Sequence, residues 1–349
     1  MYSILNLGLT FGYNALSLQS SASGYSWWTG TPNEINGNWN CVCNGGLTLA
    51  SLAIIDDDPT GLAAKVLALT VPSATNNCFQ GAYSDGTWAE TANYWYFGTT
   101  GAGEMVSSFI TSYGDDRGLS ESNPGWKLTS LFHMYSQGMT SLFNYGDHGP
   151  NKFSATANSL MLWGSLFDEP RYTLYQRDHY DASEPWSMFW YDPSVSGTWW
   201  DGLALDNHFG AQRGEWATGR STWSENSGAY WAMKTGLSVG HQTHGDLDLG
   251  DFVVDAMGQR WFGELGSGQY LSDGYFSSEA QNSERWLYYR KRTEGQNTVL
   301  INYQNQNVNV SSTTNYGSTN TSQGGAPSFN VSTSDTAFFT ADMSAAYNS

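Results

Sequence analysis

From Asn38 to about Arg177 the apolar residues recur at helical spacing. Leu47, Leu49, Leu52, Ala53, Ile54 and Ile55 form a broad apolar face, closed by Asp56-Asp57-Asp58-Pro59. Gly61 to Val71, with Leu62, Val66, Leu67 and Leu69, predicts a second helix. Pro72 should stop it, because proline lacks the N–H and crowds the preceding turn. A loop containing Ser84-Asp85-Gly86 leads to a helix predicted over Ala89 to Ile110, and others are predicted over Trp126 to Gln137 and Ala155 to Leu166. Helices joined by short turns, with no strands between them, predict the hairpins of an antiparallel array or α/α toroid. After Pro185 short runs separated by Gly, Asn, Ser and Asp predict strands over Gly214 to Trp223, Ala229 to Val239, Asp251 to Ala256 and Asn297 to Asn302. Polar strands and loops are expected from Tyr303 to Pro327. The expected fold is α+β in two domains, a helical residue range 1–181 and an antiparallel β range 182–349 with stacked sheets, divided near Ala182.

At 349 residues the chain can bury cores of that size, being 40% hydrophobic. Only 13% of residues are charged, whereas Trp (16) and Tyr (21) are abundant. Such rings cover the CH faces of sugars and reach hydroxyls with their polar tips, although ordinary core packing accounts for most of them. A formal charge of −18 excludes nucleic acid and anionic membrane as partners, since both need clustered cations. An anionic polysaccharide would need local positive charge or neutral hydrogen-bond donors. Cys78 can bridge to Cys41 or to Cys43, leaving one thiol. Sequons at Asn309, Asn320 and Asn330 predict glycosylation of a secreted protein. Met1 to Leu16 lacks a basic start and is interrupted by Asn6, Gly8, Gly12 and Asn14, so it does not read as a signal peptide. The expectation is a piece of a longer secreted precursor, shortened at both ends. No apolar run is long enough to span a bilayer.

Reactive side chains concentrate in His241-Gln-Thr-His244-Gly-Asp246-Leu-Asp248-Leu-Gly250-Asp251-Phe252. If this segment is extended, His244, Asp246 and Asp248 share a face and converge on a ligand, a metal or one another. A solvated turn or a loop-stiffening His-Asp network is the structural alternative.

His244 to Phe252, followed by Val253 to Trp261 and Glu264-Leu265-Gly266, resembles the His-x-His-x-Asp-x-Gly-x-Phe signature of heparinase II/III-type polysaccharide lyases. This chain carries a variant with His-Gly-Asp-Leu-Asp, of fungal-like type. Tyr270, Gly274-Tyr275-Phe276 and Tyr288 to Thr298 are similar to that family's Tyr-rich stretch and its Glu-Gly-His-Asn strand. In the helical half, Asn38-Trp39-Asn40, Asn44-Gly45-Gly46, Asp85 to Glu90 and Tyr94 resemble its toroid motifs.

The resemblance implies an α/α toroid joined to a β-sandwich, and β-elimination on a uronic-acid polysaccharide. It gives Asn38 or Asn44 the neutralisation of the uronate carboxylate, and Tyr94 and His244 the proton transfers. Asparagine suits its role because it donates hydrogen bonds without a positive charge. Trp39, Glu90, His148, Arg220, Tyr270 and Tyr275 are candidates for holding substrate, and Arg290, Lys291 and Arg292 are sources of local positive charge or of solubility. Where zinc-binding relatives have histidines, this chain has Asp246 and Gln296; with Glu264 these form an oxygen set suited to calcium or to no metal, rather than zinc. No cofactor is required for elimination. Two other readings stay open: a glycoside hydrolase using paired carboxylates such as Glu90 and Asp147, and a non-catalytic carbohydrate-binding or structural protein.

Overall fold

The computed structural model describes residues 1–17, 27–30, 35, 37–148, 157–179, 184–210, 214–238, 244–318 and 337–348. They form helices and antiparallel sheets in one chain, an α+β arrangement. Two compact units interleave along the sequence: Met1–Ala82, Tyr94–Lys127 and Thr156–Gly197 make the first, and Tyr83–Asn93, Leu128–Ala155 and Thr198–Ser349 the second.

The first unit is helical. A π-helical turn at Ile4–Leu9 runs into α1 (Thr10–Ser17), followed by α2 (Gly37–Ile54), α3 (Leu62–Asn76), α4 (Ala92–Tyr113, all but its first two residues), α6 (Ser159–Leu166), α7 (Pro170–His179) and α8 (Ser187–Trp190). The helix predicted to stop at Pro72 continues through it to Asn76. On α2 the buried stripe is small and polar, comprising Cys41, Asn44, Gly45, Thr48 and Ser51. Side-chain hydrogen bonds carry it: Asn44 Nδ2 donates to Ser73 Oγ at 3.1 Å, and Thr48 Oγ1 donates to Thr70 Oγ1 at 3.1 Å. Gly45 is needed there, because a Cβ would stand 2.5 Å from the Gly101 carbonyl oxygen. The disulfide is Cys41–Cys78, and burial pushes the thiol of Cys43 up to about 11. Of the broad apolar face, Ile54, Leu47 and Ile55 pack with Leu9, Ala63 and Val66, whereas Leu49, Leu52 and Ala53 line a cavity of about 440 Å³ with Trp186 and Phe189.

The second unit holds α5 (Thr129–Ser136) and a five-stranded antiparallel meander in the order β1 (Asp206–Phe209), β2 (Gly214–Arg220), β3 (Tyr230–Gly236), β4 (Phe252–Ala256) and β5 (Gln259–Phe262). β6 (Thr313–Ser318) and β7 (Ala337–Asp342) pair separately. The helix expected over Trp126 to Gln137 splits into a 3₁₀ turn at Pro124–Lys127 and α5. Inward positions of β3 and β4 carry Tyr230 and Ala232, then Val253, which pack on Met139, Phe143 and Tyr145. Each large side chain removed from water here contributes roughly 1.5–3 kcal/mol. Asp255 lies opposite Arg260 across the β4–β5 hairpin and is ion-paired to it. Asp255 also accepts the Met139 N–H at 2.8 Å, which ties the loop after α5 to the sheet. His208 on β1 stacks on Tyr316 of β6 at 4.9 Å between ring centroids.

No strand forms over Asn297 to Asn302. The Asn297 amide bridges the Phe252 and Gly263 carbonyls, and Asn302 and Tyr303 take positive φ (54° and 56°), so the segment turns and leaves one isolated bridge, Ile301 to Gln304. No described helix is long and apolar enough to cross a membrane.

Candidate functional site

Three segments of the second unit build the candidate centre. In the first, Asp85 Oδ1 accepts the Thr87 N–H at 3.0 Å and closes a tight turn, after which Trp88 and Glu90 run inward. The indole N–H of Trp88 donates to Glu90 Oε2 at 3.1 Å. The second is Tyr145-Gly146-Asp147-His148, whose Asp147 N–H donates to the His244 carbonyl at 2.8 Å. Gly146 adopts φ of 64°, and a Cβ on it would stand 2.5 Å from that same carbonyl. This backbone approach brings the two side chains together.

The third segment begins at His244. Its Nδ1 is 3.1 Å from Asp147 Oδ2 and its Nε2 is 3.6 Å from Glu90 Oε1, so both ring nitrogens face carboxylates. The His244 side chain is 6% exposed. Tyr275 donates its hydroxyl to Asp147 Oδ1 at 3.0 Å and accepts the Gly268 N–H at 2.9 Å. The Lys291 ammonium lies 2.5 Å from Asp147 Oδ1 and 2.6 Å from Asp246 Oδ1, with no exposure.

Electrostatics divides the carboxyls that share this lysine. Burial raises Asp147, but the hydrogen bond from His244 and the charges of Lys291 and His244 overcome it and bring the carboxyl down to about 2. Asp246 has Lys291 without a histidine, and burial together with Asp248 and Asp147 holds it up at about 7. Behind them Lys234, at an inward position of β3, is ion-paired with Asp248. Burial, then the charge of Glu264, raises Asp251 well above the usual carboxylate range. Among the described residues the Asp251 oxygens meet no hydrogen-bond donor, so the carboxyl is buried without a compensating partner.

The segment carrying these acids is not a strand, and Leu247 and Leu249 are as buried as Asp246 and Asp248. His241 lies outside the described residues, as do Asn320 and Asn330, while Asn309 is exposed. Each member of the oxygen set proposed for calcium has protein partners. Asp246 meets Lys291, Glu264 accepts the Asn297 N–H at 3.0 Å, and Gln296 Nε2 donates to the Arg290 carbonyl at 3.0 Å. Among the described residues no group of three or more His, Cys, Asp or Glu could hold a metal ion.

Of the other sequence candidates in this unit, Tyr270 packs on Tyr275 at 5.5 Å. Arg220 donates to the Gln137 carbonyl at 2.7 Å and lies over the Trp223 ring at 3.5 Å. His148 is buried and its carbonyl accepts the Ser267 N–H at 3.0 Å.

In the first unit Tyr94 is half-buried against Phe97 at 5.5 Å, and Trp39 is exposed beside Trp27 at 4.9 Å. Asn38 and Asn44 are buried on α2. The Asn44 amide hydrogens meet Asn40 and Ser73 acceptors, which places them inside the helix packing.

Lys234 is the main residue that sequence reasoning missed; Lys291, read as a source of local positive charge or of solubility, is instead buried between two carboxylates. Lys234 had a signal: it follows Tyr230 and Ala232 at two-residue spacing, and a lysine on an apolar strand face needs a buried carboxylate.

The chain is an α+β protein whose second unit holds a buried His-carboxylate-lysine centre. Neither a protein-family model nor a curated protein matches the sequence. Solved structures do match. A heparinase III superposes with a TM-score of 0.56 at 13% identity, over 80% of this chain and 41% of that one. Another heparinase III gives 0.53 at 15% identity, over 80% and 39%. A mutant of heparan sulfate lyase HepC from Pedobacter heparinus gives 0.50 at 14% identity, over 78% and 38%. The likeness is one of fold, and the chain spans about two fifths of the length of those structures.

Proposed function

We propose that the chain is part of a secreted polysaccharide lyase that cleaves a uronic-acid-containing polysaccharide by β-elimination. The observation that carries this reading is His244, a nearly buried imidazole whose two nitrogens face Asp147 and Glu90. It is supported by a fold shared with structures of heparinase III and of a heparan sulfate lyase. In the reaction a base removes the proton on C5 of the uronate, the electron pair forms the C4–C5 double bond, and the C4–oxygen bond breaks. An acid then protonates the departing glycosidic oxygen. Asp147 orients the ring of His244 through its contact with Nδ1, as the third member of a nucleophile-base-orienter set does elsewhere. Glu90 and Asp147, the pair that a hydrolase would set on either side of a sugar, instead both turn to this one ring and are themselves buried.

The resemblance gives the complementary proton transfer to Tyr94, and neutralisation of the uronate carboxylate to Asn38 or Asn44, of which Asn44 would have to release its bonds to Asn40 and Ser73 to serve. It also makes the helical part a segment of an α/α toroid and the sheets a segment of a β-sandwich, with the division near Ala182. The exposed Asn309 fits glycosylation of a secreted chain.

The test is a panel of glucuronan, alginate, hyaluronan and heparan-type chains, read at the ultraviolet band of the unsaturated uronate. At least one should yield that product, and His244→Ala and Tyr94→Phe should each abolish it. New reducing ends without ultraviolet absorbance would identify a hydrolase. Turnover retained in both variants would remove the assigned roles.

A further inference from the structure

The second unit contains a cavity of about 600 Å³ that the proton-transfer centre does not use. Its volume lies within the roughly 300–1,000 Å³ of small-molecule sites. Asn144, His148, Gln259, Arg260, Glu264 and Arg290 are among the residues that line it. The two arginines differ in their charge balance. Arg260 is ion-paired with Asp255, and its other donors meet the Leu142 and Ser141 carbonyls, so it serves as a wall.

Arg290 forms no ion pair among the described residues. Its Nη1 donates to the Leu265 carbonyl at 2.5 Å and to the Ser267 carbonyl at 3.2 Å. Those bonds anchor one nitrogen of a half-buried guanidinium and leave the rest of the fork for a ligand. The neighbouring cations are committed elsewhere, Lys291 to Asp147 and Asp246, and Arg292 to Glu294.

We propose that this cavity is a subsite for an acidic sugar, with Arg290 as the receptor of its anionic group. Gln259 stands on the same wall to meet hydroxyls, while the Asn144 side chain braces that wall between the Glu264 carbonyl and Arg260. The proposal rests on the lyase reading, whose substrate it narrows to a chain bearing an anionic group beyond the bond that breaks. A carboxylate and a sulfate present the same acceptor chemistry to a guanidinium.

The experiment measures equilibrium binding of three fluorescent hexasaccharides to the full chain: one carboxylated (oligoglucuronate), one neutral but sulfated, and one neutral and unsubstituted. Product formation is followed in parallel on polymeric glucuronan and heparan-type chains. One or both anionic probes should bind about tenfold or more tightly than the neutral probe, and which one does so identifies the anion. Arg290→Gln should remove that preference and leave neutral binding unchanged. Arg290→Lys, which keeps the charge without the fork, should recover part of it and serves as the test if the glutamine variant fails to fold. Equal binding of anionic and neutral probes by the parent, or an anionic preference untouched by both substitutions, overturns the subsite. An Arg290-dependent preference without unsaturated product upholds the subsite and removes the lyase reading. Product formed with an unchanged KM in Arg290→Gln does the reverse.

Discussion

Replacing Asp246 by asparagine probes the charge balance of the buried centre through its pH dependence. Asp246 is fully buried against Lys291, and burial lifts its carboxyl to about 7 from an ordinary 3.8. A carboxyl raised on folding contributes stability that is complete below the unfolded value, near 4, and is lost as pH rises through the folded value, near 7. Within that window the unfolded chain releases a proton that the folded chain keeps. Each pH unit therefore costs about 1.4 kcal/mol, or about 4 kcal/mol across the window. Asp147 runs the other way: held down at about 2, its contribution is present above about 4 and is lost as pH falls towards 2. The asparagine variant has nothing to titrate at position 246, so subtracting its unfolding free energy from the parent's isolates Asp246. Urea unfolding of both proteins from pH 4 to pH 8 supplies the comparison. The parent should lose about 4 kcal/mol relative to the variant between pH 4 and pH 7, then level off. A difference that stays flat, or that grows in the parent's favour as pH rises, refutes the assignment of a raised carboxyl.

Three further outcomes follow from the same geometry. Lys291→Met leaves Asp147 and Asp246 buried without their ammonium and should cost about 3–5 kcal/mol in thermal or urea unfolding at neutral pH. Adding Asp246→Asn should return part of it, and a loss below about 1 kcal/mol would mean that the lysine is not the counter-ion. Cys78→Ser opens a covalent loop of 37 residues, and chain entropy puts the destabilisation at about 4 kcal/mol, to be compared with the parent under non-reducing conditions. Asp147→Asn keeps the hydrogen-bond geometry around His244 but removes the charge, so kcat for unsaturated product should fall about 10²- to 10⁴-fold with KM little changed; unchanged kcat would separate Asp147 from the chemistry.

The period of apolar positions located α2, α3, α4 and the strands β2, β3 and β4 to within a few residues, since those signals are local. It failed where distant groups decide. Pro72 did not end its helix, and Asn297 left the ladder because its amide serves the carbonyls of Phe252 and Gly263, 45 and 34 residues away. The apolar face of α2 was legible, and Leu47 and Ile54 do pack in apolar clusters, but the helix also buries a polar stripe that Ser73 and Thr70 of α3 satisfy.

The candidate centre divides in the same way. Sequence alone singled out His244 and Asp246, from the density of titratable residues and the family-like spacing around them. It could not say that Asp147, 97 residues before His244, would hold the imidazole, or that Lys291, 45 residues after Asp246, would lie between two carboxylates. Local order and the supply of reactive groups were written in the chain itself. Which of those groups are charged, paired or left facing a cavity was decided by tertiary structure, because burial and the distance to a counter-charge determine the energy of every ionised side chain.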